Sequence, residues 1–294
     1  MNAPRILVQL DSDSHPSVFD AVVAIDAGVE HLLKYGQVEP TNVRQLVHGA
    51  MFTRGPAQLN NTAIFVGGSN VSVGEAIAAE VRQTFFGPIR VSVMLDGNGS
   101  NTTAAAAVLA AARHAELSDS TALVLGGTGP VGQRVARLLL RRKCNVLLAS
   151  RDLDRAEVAC KQMRQRLGHE ICSRLEPISY SASDWPASAL HRCNLLFGCG
   201  AAGATLLDAD SLASASNLRV AIDLNAVPPA GIAGIAVIDK AVQRGSRVDY
   251  GAIGAGGLKM KIHRAAIERL FTRNDLFFDA EEIFEIGAAL ETQR

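Results

Sequence analysis

The sequence predicts an α/β protein of two domains, the second of which is a Rossmann-type parallel sheet. Apolar runs of strand length alternate with longer segments whose apolar residues recur at helical spacing, as in parallel sheets with crossover helices. One strand-to-helix junction carries the pattern G-x-G-x-x-G at Gly127, Gly129 and Gly132. The chain of 294 residues also exceeds one average domain of about 100–200 residues.

The first third of the chain contains both kinds of element. Continuous apolar runs predict strands at Ile6–Leu10, Ala63–Val66 and Arg90–Leu95. Helical spacing predicts helices at Val18–Ile25, Val43–Met51 and Val73–Phe86. A polar segment over residues 96–103 leads into an alanine-rich helix over 104–112, because Ser, Asn and Thr side chains satisfy the free N–H groups at a helix start.

The alternation resumes after a boundary near Glu116–Ser120. Strands are predicted at Thr121–Leu125, Val146–Ala149, Leu195–Phe197 and Val220–Leu224. One helix follows the glycine turn, with Arg134 and Arg137 expected mostly outside its apolar face, and another covers Asp154–Leu167. We therefore expect a substrate domain over 1–117, a dinucleotide-binding domain over 118–252 and a C-terminal helical segment over 253–294 that returns to the first domain.

Composition and charge exclude several classes of function. Lys and Arg together number 29, as do Asp and Glu, so the chain lacks the basic excess typical of nucleic-acid-binding proteins. No apolar stretch approaches the roughly 18 residues that a transmembrane helix needs. The first nine residues do not resemble a signal peptide, and the odd number of cysteines has no C-x-x-C pair. We expect a cytoplasmic protein with reduced thiols and, because its histidines are scattered, without a metal site.

The glycine turn predicts a dinucleotide site over Gly127, Thr128, Gly129, Pro130, Val131 and Gly132. The first glycine of such a motif permits the tight turn, and the second lets a pyrophosphate approach the backbone. The third lets the helix pack closely on the strand, so that free N–H groups at the helix start face the anion. A purely structural glycine turn is the alternative interpretation.

The end of the second strand of this domain indicates which dinucleotide binds. An NAD site usually places Asp or Glu there to accept a hydrogen bond from the ribose 2′-OH. This chain has Ser150 and Arg151 instead, and a guanidinium suits a 2′-phosphate. We therefore expect NADP rather than NAD. The alternative is an exposed arginine, with Asp152 or Asp154 starting the next helix.

Several longer phrases carry a resemblance to a known family. They are DSDSHPSVFD (11–20), FVGG (65–68), FFGP (85–88), DGNGSNTTAAA (96–106), NAVPPAGIAG (225–234) and GGLKMKIHR (256–264). Together with the glycine motif they resemble the bacterial methylene-tetrahydromethanopterin dehydrogenases, from about Arg5 to Ile286. These phrases in this order are far more specific than the glycine motif alone.

The resemblance implies two α/β domains around a cleft and NAD(P)-dependent oxidation of the methylene group on a reduced one-carbon carrier. The carrier in that family is tetrahydromethanopterin and, in some members, tetrahydrofolate. Family members form homo-oligomers, and a trimer is expected. Because hydride leaves a carbon that bridges two nitrogens, no proton moves in the step, so the absence of a conspicuous catalytic base fits this chemistry.

Two residues are the expected catalytic ones. Lys259 matches the lysine that the family places in its active site, and it shares a helix face with His263 at i, i+4. Because the methenyl product is a cation, we expect Lys259 to bind a carrier oxygen, or to be neutral, rather than to face the reacting carbon. Asp20 is expected to hold the N–H groups of the pterin or to offset the cation. The alternatives are a solvated basic face for Lys259 and a helix cap or ion pair for Asp20.

Weaker candidates lie in loops at the ends of predicted strands. Asn98, Ser100 and Thr102 are expected at the substrate, although a helix cap would explain at least one of them. Asn225 and His15 are also substrate candidates, and His15 could equally be structural. Gly200 and Ala201 follow a buried strand and are expected beside the nicotinamide ribose.

Two other functions compete with this one. Shikimate-dehydrogenase-like NADP oxidoreductases share the domain order, but their substrate domain carries Asn-Thr-Asp where this chain has Asn101, Thr102 and Thr103. An NADPH-binding sensor without turnover is the non-enzyme alternative, and the presence of Lys259 and of the polar 96–103 segment disfavours it. Cyclohydrolase activity is not expected, because the lysine motif of the folate dehydrogenase/cyclohydrolases is missing from the first domain.

Overall fold

A computed structural model describes residues 3–180 and 187–292. The described residues form twelve strands: β1 Ile6–Leu10, β2 His31–Tyr35, β3 Thr62–Val66, β4 Ser92–Leu95, β5 Thr121–Leu125, β6 Asn145–Ser150, β7 Leu175–Ser179, β8 Leu195–Gly198, β9 Val220–Asp223, β10 Lys240–Arg244, β11 Arg247–Tyr250 and β12 Phe277–Phe278. They also form ten α-helices: α1 Val18–Asp26, α2 Val43–Phe52, α3 Val71–Thr84, α4 Ser100–Ala112, α5 Pro130–Arg141, α6 Leu153–Leu167, α7 Ala187–Arg192, α8 Ala209–Ser214, α9 Ala252–Leu270 and α10 Ala280–Thr292.

The chain divides into two compact units. Unit 1 comprises Met1–Thr102 with Met260–Arg294, and unit 2 comprises Thr103–Lys259. Helices α4 and α9 each run through a boundary between the units. The expected division into functional domains at 117/118 and 252/253 is a different partition and stays a prediction.

Unit 1 contains a five-stranded parallel sheet in the order β12-β4-β3-β1-β2. Strands β3 and β4 are buried along their whole length, because their continuous apolar runs lie between two layers of helices. The chain order reverses between β1 and β3, where Leu10 pairs with Val66. In open α/β sheets, ligands bind in the crevice at the carboxyl ends of the strands at such a switch point.

Unit 2 contains a seven-stranded sheet in the order β10-β11-β9-β8-β5-β6-β7, parallel except for the β10–β11 hairpin. Strand β5 plays the part of the first Rossmann strand, with β6 and β7 on one side and β8 and β9 on the other. This order confirms the predicted α/β class. It also places the switch point between β5 and β8, where Leu125 pairs with Gly198.

The structure corrects several details of the sequence interpretation. Helix α4 begins at Ser100, four residues before the alanine run. Arg134 and Arg137 were expected outside, but they are only 3% and 5% exposed. The edge strand β2, the strand β7 and the β10–β11 hairpin were not predicted. Within the described ranges no helix is long and apolar enough to span a membrane.

Candidate active site

The loop after β5 is shaped by glycines at the switch point of unit 2. Gly126 has a φ of +65°, and a Cβ there would lie 2.6 Å from the Cα of Gly200 in the loop after β8. A Cβ on Gly127 would lie 2.7 Å from the Leu148 side chain, and one on Gly132 would lie 2.6 Å from the Gly126 carbonyl oxygen. These three glycines therefore bring the loop, the sheet and the start of α5 into close contact.

Gly129 differs from the other glycines of the motif. A Cβ there would lie 3.8 Å from the Cys199 carbonyl oxygen and 3.3 Å from that of Gly126, a tight contact that a shift of a few tenths of an ångström would relieve. Gly129 is the N-cap of α5, no side chain caps this helix start, and Pro130 occupies the first helical position. The backbone N–H groups of Val131 and Gly132 lie in the first turn, where a helix offers them no internal partner. This open cradle fits a pyrophosphate.

One side chain braces the cradle from within α5. Gln133 donates from its side-chain Nε2 to the Thr128 carbonyl oxygen at 2.8 Å. Its backbone N–H donates to the Gly129 carbonyl oxygen at 2.9 Å. Both bonds hold the loop in the conformation that directs the helix start toward an anion.

The residues at the end of β6 fit a phosphate better than a ribose hydroxyl. Ser150 is 6% exposed, and its Oγ accepts from the Asp152 N–H at 3.3 Å, whereas Arg151 is exposed. Asp152 is the N-cap of α6, because its Oδ1 accepts from the Arg155 N–H at 3.3 Å. The carboxylate nearest this position is therefore engaged in starting a helix.

Tyr180 was not singled out from the sequence, yet it lies near the same end of the sheet. Burial raises the pKa of its hydroxyl, and the Arg151 guanidinium and the Gly126 backbone partly offset that shift. The side chains of Tyr180 and Arg151 are therefore close enough to interact electrostatically beside the glycine loop. Tyr180 follows β7, which lacks a strong apolar run, so the sequence offered little signal for it.

The loop after β8 lies against the glycine loop. A Cβ on Gly200 would lie 2.5 Å from the Leu206 side chain, so a larger residue there would require Leu206 to move, while Ala201 is exposed. Burial raises the pKa of the neighbouring Cys199 thiol, and the Asp223 carboxylate raises it further. This loop therefore presents backbone and small side chains at the place where a nicotinamide ribose is expected.

The loop after β9 is held by its own polar side chains. Asn225 donates from Nδ2 to the Pro229 carbonyl oxygen at 2.9 Å and accepts from the Val227 N–H at 3.1 Å. Asp223 accepts from the Ile232 N–H at 3.1 Å, and burial raises the pKa of its carboxyl despite such N–H bonds. The predicted contact of Asn225 with a substrate stays a prediction.

Lys259 lines a cavity within unit 2. The cavity holds about 190 Å³ and is lined by Thr103, Ala106, Leu224, Ala226, Ala252, Ala255, Gly256 and Lys259. Leu224 and Ala226 follow β9, so the cavity lies at the carboxyl end of the sheet. The lysine is half-buried among small and apolar residues, and this arrangement strengthens the interaction of its ammonium group with any oxygen acceptor bound there.

Two carboxylates shape the switch point of unit 1. Asp11 accepts from the Asp13 N–H at 2.9 Å and from the Ser17 N–H at 3.1 Å. Asp13 accepts from the Ser69 N–H at 2.9 Å and from its hydroxyl at 2.8 Å, joining the loops after β1 and β3. These bonds draw the two loops together around Gly68, where a Cβ would lie 2.2 Å from the Ser12 hydroxyl oxygen.

The 96–103 segment contains more capping residues than the sequence indicated. Asp96 accepts from the Thr102 N–H at 3.1 Å and from its hydroxyl at 2.7 Å, and Ser100 donates its hydroxyl to the Gly97 carbonyl oxygen at 2.7 Å. Ser100 and Thr102 are fully buried, whereas Asn98 is exposed with a φ of 51°. The hydroxyls of Ser100 and Thr102 thus serve the start of α4, and their predicted substrate contacts stay predictions.

Asp20 and His15 follow β1 on the same side of unit 1. His15 is exposed, and no described contact gives it a role. Asp20 lies in the first turn of α1, with its Oδ1 4.0 Å from Nε2 of the fully buried His263. The sequence placed His263 on the Lys259 helix but gave no sign that its ring meets α1. Within the described part of the chain, no group of three or more His, Cys, Asp or Glu residues could hold a metal ion.

Comparisons with known proteins identify relatives of this chain. A family model described as "Methylene-tetrahydromethanopterin dehydrogenase, N-terminal" matches residues 18–98. The "Bifunctional protein MdtA" of Methylorubrum extorquens is 42% identical over 286 residues, which cover 96% of this chain and 98% of the relative. The "NAD(P)-dependent methylenetetrahydromethanopterin dehydrogenase" of the same organism is 30% identical, over 98% of this chain and 99% of the relative.

One solved structure bears on the fold alone. The ligand-free 5-ketofructose reductase of Gluconobacter sp. strain CHM43 superposes with a TM-score of 0.52 at 13% sequence identity. The match covers 98% of this chain and 99% of the reductase. Similarity at this level supports the α/β architecture and carries no information about the substrate.

Proposed function

Because the chain belongs to the methylene-tetrahydromethanopterin dehydrogenase family, we propose that it is an NAD(P)-dependent oxidoreductase of one-carbon metabolism. It transfers hydride between the methylene group of methylene-tetrahydromethanopterin, or of methylene-tetrahydrofolate, and NADP. The observation that carries this proposal is the 42% identity over 96% of the chain, which spans both the glycine loop and the Lys259 segment. Residues 1–117 supply the carrier site and 118–252 the cofactor site.

The reaction needs orientation more than proton transfer. The methylene carbon bridges N5 and N10 of the carrier, and lone-pair donation from these nitrogens releases the C–H electron pair as hydride. When bound, the nicotinamide of NADP accepts that hydride, and the carrier is left as a methenyl cation delocalised over both nitrogens. The protein accelerates this step by holding the two partners in reacting geometry and by stabilising charge.

Each group of candidate residues has a separate task in this proposal. The cradle of Thr128 to Gly132 binds the pyrophosphate with backbone N–H groups, and Gly127 permits the turn that forms it. Ser150 and Arg151 bind the 2′-phosphate, and Gly200 with Ala201 lie beside the nicotinamide ribose. Lys259 binds a carrier oxygen. The residues proposed to contact the rest of the carrier are Asp20, His15, Asn98, Ser100, Thr102 and Asn225.

The proposal also includes the cellular compartment and the oligomeric state. All five cysteines are free, which suits a reducing cytoplasm. We also expect the chain to act as a homo-oligomer, with a trimer as the expected size, and to have no nucleic-acid or membrane partner. Sedimentation of the purified protein measures the size directly.

A turnover assay tests the function. Purified protein is given methylene-tetrahydromethanopterin or methylene-tetrahydrofolate, each with NADP⁺ or NAD⁺, and NADPH or NADH formation is followed by absorbance. We expect turnover with the methanopterin carrier and NADP⁺, and none when the carrier is omitted. NADPH binding without turnover on either carrier would contradict the enzyme assignment and favour a sensor.

Replacing Arg151 with alanine tests the cofactor preference. We expect the Kd of NADPH to rise roughly 10- to 100-fold, because hydrogen bonds to a charged group contribute about 1.5–3 kcal/mol. The Kd of NADH should change less than about twofold, because NADH has no 2′-phosphate for the guanidinium to bind. Fluorescence titration of both nucleotides gives these values.

The matched control is Arg155→Ala, which removes an exposed arginine in the first turn of α6. It should leave both affinities unchanged. An equal loss of NADPH and NADH affinity in Arg151→Ala would indicate damage to the loop rather than loss of a phosphate contact. No loss at all would return Arg151 to the role of an exposed surface residue.

A further inference from the structure

His263 is a polar side chain that is fully buried against aromatic rings, where an apolar side chain is more usual. It lies in α9 with no exposed surface, and its ring stacks on Phe65 of β3 with centroids 5.6 Å apart and planes at 21°. Phe19 of α1 lies on it as well, with its ring centroid at 6.3 Å. Burying a polar ring among apolar ones costs free energy unless the ring nitrogens are hydrogen-bonded.

The carboxylate of Asp20 lies beside this ring. Its Oδ1 is 4.0 Å from Nε2 of His263, and the Asp20 side chain is only 12% exposed. On the other side, Oδ2 would lie 3.7 Å from a Cβ built on Gly67. The carboxylate therefore lies between an imidazole and a backbone position that has no side chain, at the switch point of the unit 1 sheet.

The start of α1 is capped by Ser17, whose own N–H is bound by Asp11. Ser17 is the N-cap and accepts from the Asp20 N–H at 3.2 Å, so Asp20 occupies the third helical position. An acidic residue there usually reaches back to the N-cap N–H. In this chain the Ser17 N–H already donates to Asp11 Oδ2 at 3.1 Å. The local sequence thus lets the Asp20 carboxylate lie toward His263 instead.

Neighbouring carboxylates at this end of the sheet bind the protein's own backbone. Asp11 accepts from the N–H groups of Asp13 and Ser17, and Asp96 accepts from the N–H groups of Asn101 and Thr102. The Asp20 carboxylate lies beside an imidazole that comes from a distant segment of the chain. A carboxylate oriented in this way suits a ligand that presents N–H donors, as the amino-pyrimidine edge of a reduced pterin does.

We propose that His263 is a positioning residue for Asp20, which it orients toward the N–H groups of the pterin carrier. This inference rests on the proposed function. At 4.0 Å the two groups are beyond hydrogen-bond distance, and a shift of roughly 1 Å in the carboxylate would allow Nε2–H to donate to it. Such contacts commonly tighten only when substrate binds. Stacking on Phe65 fixes the ring plane and therefore the direction in which that N–H points.

The kinetic test compares His263→Leu and His263→Gln. Leucine retains the apolar packing and removes the N–H, so we expect the KM for the carrier to rise about tenfold, equivalent to about 1.4 kcal/mol, with the Kd of NADPH unchanged. Glutamine carries an N–H donor near the position of Nε2, and it should restore the KM to within about threefold of the wild-type value. The same Leu change at His48, which packs against Phe52 and Phe86 of unit 1, is the matched control and should leave the KM unchanged.

A double-mutant cycle separates positioning from packing. In an Asp20→Asn background, His263→Leu should change the KM by less than about twofold, because the two residues act as one unit. An undiminished tenfold effect in that background would overturn the proposal. So would a loss of equal size in the Leu and Gln variants accompanied by a lower Tm, since that pattern indicates packing alone.

A spectroscopic measurement keeps the proposal testable without turnover. The ¹⁵N shifts of the His263 ring identify its tautomer, and we expect the Nε2–H form with a shift that changes in Asp20→Asn. No response to Asp20→Asn would overturn the positioning role. If the wild-type protein lacks turnover but the ring responds, the proposed carrier reaction fails while the His263–Asp20 coupling stands.

Discussion

Replacing Lys259 with methionine is expected to lower kcat/KM for the pterin carrier by about 100-fold, because a hydrogen bond from a charged group to the carrier contributes about 1.5–3 kcal/mol. Lys259 lines the 190 Å³ cavity at the carboxyl end of β9, among residues that are mostly apolar. Methionine retains the unbranched stem and removes the charge, so the packing of α9 should be unchanged. The Kd of NADPH should also be unchanged, because the glycine loop provides its phosphate contacts.

The control for this variant is Lys261→Met, which makes the same chemical change at an exposed position two residues further along α9. It should retain wild-type kinetics. A Lys259→Met enzyme with wild-type kcat/KM would contradict the catalytic role and leave the lysine as part of a solvated basic face. A loss of NADPH affinity in Lys259→Met would instead place the ammonium group at the cofactor.

The charge of the product determines how Lys259 can act. The methenyl group is a cation, and an ammonium placed 4 Å from it in a partly buried site would oppose hydride release by about 4 kcal/mol. A productive lysine therefore binds an oxygen of the carrier away from the reacting carbon. The Lys259→Met defect should accordingly fall mainly on carrier KM when the forward reaction is measured.

The buried strands could be predicted from the sequence because they are buried on both faces. The bounds of β1 match the prediction at both ends, and β3 extends it by one residue. A strand at the sheet edge has no such signal. The edge strand β2, His31–Tyr35, is mostly exposed and mixes apolar with basic residues, so its pairing with β1 depends on backbone hydrogen bonds from elsewhere in the chain.

Some features of the candidate site could likewise be predicted from the sequence, and others could not. The glycine loop could be predicted because consecutive residues form it, and the spacing itself carries the steric requirement. The approach of Asp20 to His263 could not be predicted, because the two residues are far apart in the chain and the distance between them depends on how α1 and α9 pack. Similarly, the sequence did not identify Asp96 as the acceptor for the N–H and hydroxyl of Thr102 at the start of α4.

Replacing single glycines of the glycine loop after β5 with alanine should separate the effect on NADPH affinity from the effect on folding stability. Gly129→Ala adds a methyl group where the nearest atom is 3.3 Å away, so the protein should lose about 1 kcal/mol or less of folding free energy. The same methyl group occupies the space through which a pyrophosphate would approach the helix start. We expect the Kd of NADPH to rise about 100-fold, as is typical when reacting or binding groups are displaced by about 1 Å.

Gly132→Ala should affect both properties. Its Cβ would lie 2.6 Å from the Gly126 carbonyl oxygen and 2.7 Å from the Gly127 Cα, and both neighbours are backbone atoms that cannot rotate away. Helix α5 must therefore move, which should cost about 1–3 kcal/mol of stability and lower the Tm by several degrees. The NADPH affinity should fall as well, because the displaced helix start no longer directs its N–H groups toward the anion.

Thermal unfolding and NADPH titration of both variants test these expectations, with Gly49→Ala as the control. Gly49 is an exposed glycine within α2, and a Cβ there meets no atom within 4 Å. Alanine should therefore raise the Tm slightly through helix propensity and leave binding unchanged. If Gly129→Ala retained full NADPH affinity, the turn would be structural only. The pyrophosphate would then bind elsewhere, even if Gly132→Ala lost stability as expected.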